Sequence, residues 1–587
     1  MLILGLNAFE INSSAAFIRN GEVLFAMCEE RFSRIKRDKS FPFRSINAGL
    51  SNLGIDFCEI DAIAVGWNPI VEATKINGVL HHRPRELYFY KLIEAFMSKE
   101  NCLEDDMDWS MIRTSGQTIP DIYFIRHHLA HASNSIFQSP FTKGDFLTLD
   151  FMGERETGMF GSFDQTNINK EYISKQPSST GAFYAAITQL LGYKSDSDEW
   201  KVMALSAAKS DEQKVKEYIK VFEESTLEKG IAPFLKNEYF NTDQPREKYL
   251  TTQLLREKLE TPTNLINRNS SDIRDWQVNV ATAMQKFSAD YTLRALTKVS
   301  KKNNSKRENI CLSGGFFMNC VFNGELERSS LYENVFISQS PADLGNSIGS
   351  AMYTYHQILG GKRKVLSSQA LFTGKSLSQK PSEIIDKFQI PYKSYENKAS
   401  LVQDIFKYLL DNKVIAICTG KSEFGERALG ARSIICLATR AENKELINNK
   451  IKYREDYRPF APVCLRSQAS KYFDVSKDYS CSAMEKVVYV KEIFKDKLPA
   501  ITHFDDSARL QTIDDNNDDL LPSILKYMDK HKAIPILINT SFNLNGEPNV
   551  ETEIDAIRTF FTSGLDVLVI SNLLISKERL KSSTGCN

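Results

Sequence analysis

The stretch LILGLNAFEINSSAAFIRNGEVLFAMCEER, Leu2 to Arg31, decides how the chain is read. LILGLN is one apolar run, and SAAFIRNGEVLFAMCEER is two more joined at Arg19-Asn20-Gly21. Asn-Gly between apolar runs predicts a hairpin, because the tight turns that match strand twist need positive φ at their centre. Strand, turn and strand at the first residues often open a nucleotide-binding α/β domain. Further on, AIAVGW (62–67), IYFI (122–125) and DFLTLDF (145–151) read as strands among helical stretches, as far as GAFYAAITQLLGY (181–193). That alternation predicts an α/β class.

Residues 209–275 change character, rich in Lys, Glu, Asn and Gln around EQKVKEYIKVFEES, and read as an insertion or lid more exposed than its flanks. Periodicity returns after Trp276: Val280, Met284, Phe287, Tyr291 and Ala295 recur at spacings of three and four, one face of a buried helix. NICLSGGFFMN (309–319) is a short strand running into paired glycines. Gly, Ser and Lys crowd Gly360 to Lys380, which predicts a linker between a first domain over 1–365 and a second over 375–587. We find neither an internal repeat nor a low-complexity tract.

At 587 residues the chain is too long for one ordinary core. Lys+Arg and Asp+Glu are equal at 74 each, so no global field draws it to nucleic acid or an anionic membrane. No apolar run approaches the roughly 20 residues needed to span a bilayer, and the start does not resemble a signal peptide. The ten scattered cysteines contain no CxxC pair and read as reduced thiols of a cytoplasmic protein.

His127 and His131 in HHLAH are four apart, so on a helix they project from one face about 6 Å apart and could hold one divalent metal, while His128 points elsewhere. Surface histidines on a helix are the plain alternative. Asp150, ending an apolar strand, favours the metal, and two imidazoles with a carboxylate suit iron(II), manganese or zinc. Ser313, Gly314 and Gly315 follow a strand where bare backbone N–H groups could approach a phosphate, although paired glycines also make ordinary turns. TGKS occurs at Thr373 and again at Thr419, but the first glycine of a P-loop is replaced by Gln369 and Ile415. GNSIG places Ser347 inside a helical stretch, not on the sharp turn of a nucleophile elbow.

The second half carries Arg427 and Arg432 in EFGERALGARS, Lys450, Lys452, Arg454 and Arg458 in KIKYREDYRPFAP, and Arg509 in THFDDSARLQT. A solvated basic surface is the usual explanation. Here the cations lie among Phe, Pro, Ala and Leu, where guanidinium groups need anionic partners, and bound phosphates match the guanidinium fork. Asn539, Ser541 and Asn543 in INTSFNLNGEP add neutral polar groups.

In order along nearly the whole chain, EERFSRIKRDKSFP, HHLAH, Asp150, STGAFYAAITQLLG, DEWKVM, SGGFFMN, EFGERALGARS, YREDYRPFAP, HFDDSARLQT and NTSFNLNGEP resemble the NodU/CmcH carbamoyltransferase family. The resemblance implies an N-terminal actin-like ATPase (ASKHA-type) domain and a C-terminal YrdC-like α/β domain. It implies that carbamoyl phosphate is cleaved, that carbamate attacks the α-phosphate of ATP to give carbamoyl adenylate and pyrophosphate, and that the carbamoyl group passes to a hydroxyl or amine of a small-molecule, secondary-metabolite acceptor. Shielding so reactive an adenylate from water gives the two-domain arrangement a physical purpose. Metal ligands implied are His127, His131, Asp150 and Asp343, with iron(II) as the metal and Mg2+ accompanying ATP. The implied adenylate-forming site is Arg427, Arg432, Lys452, Arg454, Arg458, Arg509, Asn539 and Ser541. The implied nucleotide lining in the first domain is Ser313, Gly314, Gly315, Asn319, Glu199 and Lys201, with Glu10, Lys36, Asp38 and Arg458 acting on the reacting groups. A homodimer, no nucleic acid and no membrane complete the expectation.

The chain departs from the family pattern at Glu10 and Asn12, where His and Asp are usual, at Arg37 for His, and at Phe151 and Trp200 for glycines. In the second half Glu426 replaces a proline, and Asp506-Ser507 replaces Gly-Thr. Two readings follow. Glu10 does proton work with a different pKa while Phe151 and Trp200 reshape the pocket for another acceptor. Otherwise the chain is a divergent adenylate-forming or acyl-transfer enzyme, or a ligand-binding protein without catalysis.

Overall fold

The computed structural model describes residues 1–8, 11–69, 102–105, 108–113, 120–242, 251–262, 271–302, 307–366, 369–453, 457–458 and 460–578. Glu10 and Arg454 therefore lie outside the described residues. The chain forms two compact units: Met1–Glu29 with Asp38–Ala370, and Glu30–Arg37 with Leu371–Asn587. The segment Glu30–Arg37, with Lys36, was assigned by sequence to the first domain and belongs instead to the second unit.

In the first unit β1 (Leu2–Asn7), β2 (Ser14–Arg19) and β3 (Glu22–Cys28) form an antiparallel meander. Asn20 and Gly21 turn between β2 and β3 at φ 51° and 78°, the left-handed conformations a two-residue hairpin needs. All six residues of β1 are buried, as expected of a strand covered on both faces. With β4 (Ala62–Val65), β5 (Cys102–Asp105), β6 (Trp109–Arg113) and β7 (Asp121–Ile125) the sheet runs β3-β2-β1-β4-β7-β6-β5, and β1, β4 and β7 are parallel.

A second sheet repeats the plan. β8 (Lys143–Leu149), β9 (Glu156–Asp164) and β10 (Asn167–Lys175) form a meander, and β13 (Asn309–Ser313) and β14 (Asn334–Ile337) add in parallel beyond β8, giving β10-β9-β8-β13-β14. Twice over, a three-strand meander lends its first strand to two parallel neighbours, which is the duplicated plan of the actin-like ATPase class. The sequence shows no repeat because this topology asks only for alternating and apolar strand patterns, not for particular residues.

The residues expected to form a lid are partly core. A helix over Glu212–Ser225, capped by Asp211, buries Val215, Tyr218 and Phe222. The Phe222 ring lies 5.2 Å from Phe183 and 5.9 Å from Phe287. β11 (Thr226–Lys229) and β12 (Ala232–Leu235) follow as a hairpin. Lysine and glutamate fill the solvent side of this helix and made the whole segment look exposed. The helix Ser271–Lys302 buries Val280, Met284, Phe287, Tyr291 and Ala295, the five positions read as one face.

The second unit is built on an eight-stranded mixed sheet. In chain order its strands are β15 (Lys393–Ser394), β16 (Ile415–Cys418), β17 (Arg432–Leu437), β18 (Ala461–Leu465), β21 (Gln511–Ile513), β22 (Leu537–Ser541), β23 (Val567–Ile570) and β24 (Leu573–Ser576), and across the sheet they run β15-β24-β23-β16-β17-β22-β18-β21. β19 (Val487–Tyr489) and β20 (Ser507–Arg509) pair separately. Along β16, Ile415 and Ile417 join one core while Ala416 and Cys418 join the other, so period-two alternation makes an all-apolar strand serve two faces. No helix among the described residues is long and apolar enough to cross a membrane. Cys28, Cys58, Cys311, Cys320, Cys418, Cys436, Cys464 and Cys481 form no disulfide.

Candidate metal centre and guanidinium site

The histidines sit on a helix over His127–Ile136 that begins where β7 ends and is buried along its length. The Glu154 carboxylate accepts from the main-chain N–H of His127 at 3.0 Å and of Asn68 at 2.8 Å, placing negative charge at the helix N-terminus, where the dipole favours it. One turn apart, His127 and His131 bring their Nε2 atoms within 3.0 Å of each other. Asp150 Oδ2 lies 3.0 Å from Nε2 of His131 and 3.3 Å from that of His127. Asp343 Oδ1 is 3.6 Å from both. One ligand atom from each of the four residues fits within 4.8 Å of all the others, and all four residues are buried. The structure thus brings together the four ligands implied by the resemblance.

The surroundings suit imidazoles that ligate through Nε2 and carry their proton on Nδ1, each of which then needs an acceptor. Ser313 Oγ, which donates to Pro341 O, stands 3.4 Å from His131 Nδ1. The Asn346 amide stands 3.3 Å from His127 Nδ1 and 3.3 Å from His131 Nε2, and its buried Oδ1 has no partner among the described residues. His128 is separate, with Nδ1 2.8 Å from Thr148 Oγ1. Burial, reinforced by the neighbouring histidines, pushes His128 well below its usual pKa and keeps it neutral. For His127 burial acts downward, but the hydrogen bond to Asp150 and the charges of Asp343, Asp150 and Glu154 outweigh it and raise it to about 9. Burial opposes ionisation of Asp150, yet both imidazoles hold it well below the usual carboxylate range. Without a cation, this much negative charge binds protons.

The paired glycines serve this centre sterically. Gly314, at φ 102°, packs so closely on β8 that a Cβ would fall 2.2 Å from Leu149 O, and one on Gly315 would fall 2.9 Å from Asp150 Oδ1. Ser313, expected to line a nucleotide, is fully buried against Pro341 and His131. Asn319, expected beside it, caps the helix Cys320–Arg328 and exchanges hydrogen bonds with the Gln285 amide. Glu199 and Lys201 lie on a short helix, Glu199–Leu205, where Glu199 accepts from Asp196 N–H and Lys201 pairs with Asp198. Asp38 is buried in the first unit and its carboxylate accepts from Ser40, whereas Lys36, in the second, pairs with Glu30; the two do not share a unit.

In the second unit the loop FGERALG is held from inside. Glu423 Oε1 accepts from the N–H groups of Leu429 and Arg432, Gln511 Nε2 donates to Leu429 O, and Asn539 Nδ2 donates to Ala428 O. Arg427 rides on this loop, half-buried. Arg509 precedes Gln511 by two residues, and Arg458 precedes Ala461, which faces Asn539 across the sheet. All three arginines are half-buried. Arg432 is a correction: it is fully buried, and its guanidinium donates to the main-chain carbonyls of Thr419, Gly420, Ala431 and Glu551, so its donors are taken up by the fold. Lys452 is likewise surrounded, donating to Ser541 O and Oγ and to Asn543 O and Oδ1. Ser541 Oγ in turn donates to Asn543 Oδ1.

Sequence reading passed over Asn346, Glu154, Glu423, Gln511 and Arg31. Arg31 and Glu423 stand in quoted motifs without an evident partner; those of Glu423 are main-chain N–H groups, and those of Arg31 lie far along the chain. Arg31, 2% exposed, donates to Val550 O and Glu423 O and faces the buried Glu551 carboxylate at 3.6 Å.

The first unit, built on a repeated sheet plan, encloses a cluster of two imidazoles and two carboxylates, and the second is built on a mixed sheet. The family model Carbamoyltransferase N-terminus matches residues 2–352 and Carbamoyltransferase C-terminus matches residues 406–577, and the chain belongs to the carbamoyltransferase family. It is 31% identical to an uncharacterized protein of Synechocystis sp., over 98% of this chain and 96% of that one. It is 29% identical to the nodulation protein NolNO of Sinorhizobium fredii, over 97% of this chain and 80% of that one. An uncharacterized protein of Methanocaldococcus jannaschii is 28% identical, over 96% and 98%.

Proposed function

We propose that this transferase makes carbamoyl adenylate from carbamoyl phosphate and ATP in its YrdC-like second unit (375–587) and transfers the carbamoyl group to a hydroxyl of a small, secondary-metabolite acceptor in the first (1–365). The observation that carries the reading is the buried cluster of His127, His131, Asp150 and Asp343. Two imidazole nitrogens 3.0 Å apart, both facing carboxylates, suit a divalent cation. Iron(II) is the ion proposed, and when bound it supplies positive charge where the acceptor oxygen becomes negative.

In the second unit Arg427, Arg458 and Arg509 hold phosphate oxygens. Water splits carbamoyl phosphate into carbamate and phosphate. A carbamate oxygen then attacks the α-phosphorus of ATP, which with Mg2+ releases pyrophosphate. In the first unit the acceptor oxygen attacks the carbamoyl carbon, the bond to AMP breaks, and the hydroxyl proton passes to a carboxylate, for which Asp38 and Glu10 are the candidates. A cytoplasmic homodimer is the proposed setting.

Pyrophosphate release tests the reading. It is expected only when ATP and carbamoyl phosphate are supplied together, and Arg458→Ala is expected to lower it at least about a hundredfold. Release from ATP with another acid in place of carbamoyl phosphate would assign the chain to a different adenylating chemistry. His131→Ala is expected to lose bound metal, measured by elemental analysis, while keeping its circular dichroism spectrum. Full metal content in that variant would remove the ligand set.

A further inference from the structure

Asn346 opens the helix Asn346–Tyr353 three residues after Asp343, a helical spacing that puts the two side chains on one face. It is fully buried. Gly66, just after β4, makes room for it: a Cβ there would fall 2.8 Å from Asn346 Cβ. Ser14 Oγ, on β2, donates to Leu344 O at 2.8 Å and pins the turn between Asp343 and Asn346. The side chain therefore has a fixed place in the first unit, with one end of its amide 3.3 Å from His127 Nδ1 and 3.3 Å from His131 Nε2. Its oxygen points the other way, buried, and meets no donor among the described residues.

The two ends of a primary amide have the same shape, so the surrounding network decides which is oxygen. With nitrogen foremost, the amide aims hydrogens at the His131 nitrogen that faces Asp150 and Asp343, while its oxygen goes unmet. A nitrogen that gives its lone pair to a cation has none left to accept with, and amide hydrogens face a cation unfavourably. Turned, the oxygen meets both neighbours, offering one lone pair to the cation and accepting from His127 Nδ1–H with the other. Spacing agrees with that role. Donor atoms held about 2.1 Å from one ion stand about 3.0–3.4 Å apart when adjacent. Around His131 Nε2, His127 Nε2 and Asp150 Oδ2 each lie at 3.0 Å and the Asn346 amide at 3.3 Å. We infer that Asn346 Oδ1 is a fifth ligand of the cation held by His127, His131, Asp150 and Asp343. The inference rests on the metal reading given above. Three oxygen donors beside two imidazoles exceed the four ligands of a closed zinc site and suit iron(II) or manganese(II).

Manganese(II) is the probe. The full chain, synthesised with asparagine carrying 13C at the side-chain carbonyl only and loaded with manganese(II), is expected to show a through-bond carbon coupling in electron–nuclear double resonance. Asn346→Asp, which keeps an oxygen in place but removes the label, is expected to lose the coupling and retain the ion. Asn346→Leu, which keeps the bulk and removes the donor, is expected to bind manganese(II) at least about tenfold less tightly in competition with a chelator. Absence of the coupling in the unaltered protein overturns the inference even if Asn346→Leu binds weakly, because an asparagine that only orients His127 lowers affinity without touching the ion. Survival of the coupling in Asn346→Asp overturns it as well, by assigning the signal to another asparagine. Failure of the unaltered protein to take up a divalent ion would instead overturn the reading of the cluster on which the inference rests.

Discussion

Gly315 measures how little room the metal centre leaves. A methyl group there would meet Asp150 Oδ1 at 2.9 Å, so Gly315→Ala is expected to displace a ligand and weaken metal binding about ten- to a hundredfold, read by competition with a chelator, with little change in the far-UV spectrum. His503 offers a second test at this scale. Burial, then the charges of Arg509 and Lys444, lower its pKa from 6.5 to about 3. The unfolded chain therefore binds the extra proton between those values. Stability from this group is present above pH 6.5 and is lost as pH falls toward 3, by up to about 1.4 kcal/mol per pH unit. His503→Gln is expected to unfold with a shallower acid dependence over that window, measured by urea titration. At the residue scale the sequence showed part of each site. The i, i+4 histidines and a strand-end aspartate were legible because helix spacing and strand position are local. Arg432 was misread because a buried guanidinium needs acceptors, and a sequence does not say whether they are phosphate oxygens or carbonyls.

Strands and helices were more legible than their surroundings. The Asn20-Gly21 turn fixed the first hairpin, since few residue pairs accept positive φ twice. The buried face of the helix Ser271–Lys302 followed from spacing alone. The helix Glu212–Ser225 fell within a stretch read as an exposed insertion or lid, yet its apolar stripe completes a cluster with Phe183 and Phe287. Phe222→Ala is accordingly expected to destabilise the first unit by about 3–5 kcal/mol, measured as a shift in its denaturation midpoint, where a true lid would show almost none.

For the whole molecule, the class of fold was legible and its internal symmetry was not. Two meanders with parallel extensions can be built from unrelated residues, so the duplication leaves no trace in sequence comparison of the halves. The excursion of Glu30–Arg37 into the second unit was equally hidden, because nothing local marks a strand end as leaving its own domain. Its stability consequence is direct: Arg31→Ala leaves Glu551 buried beside no close cation from that segment, and a loss of about 3–5 kcal/mol is expected in chemical denaturation. Residues 371–587 expressed alone lack Arg31 and Arg34 and are expected to aggregate or unfold, with stability restored when a peptide covering 29–38 is added. The same excursion sets a schedule for synthesis. Arg31 leaves the ribosome long before Val550 and Glu551, 519 and 520 positions later, so the second unit closes only when much younger chain reaches one of its oldest pieces.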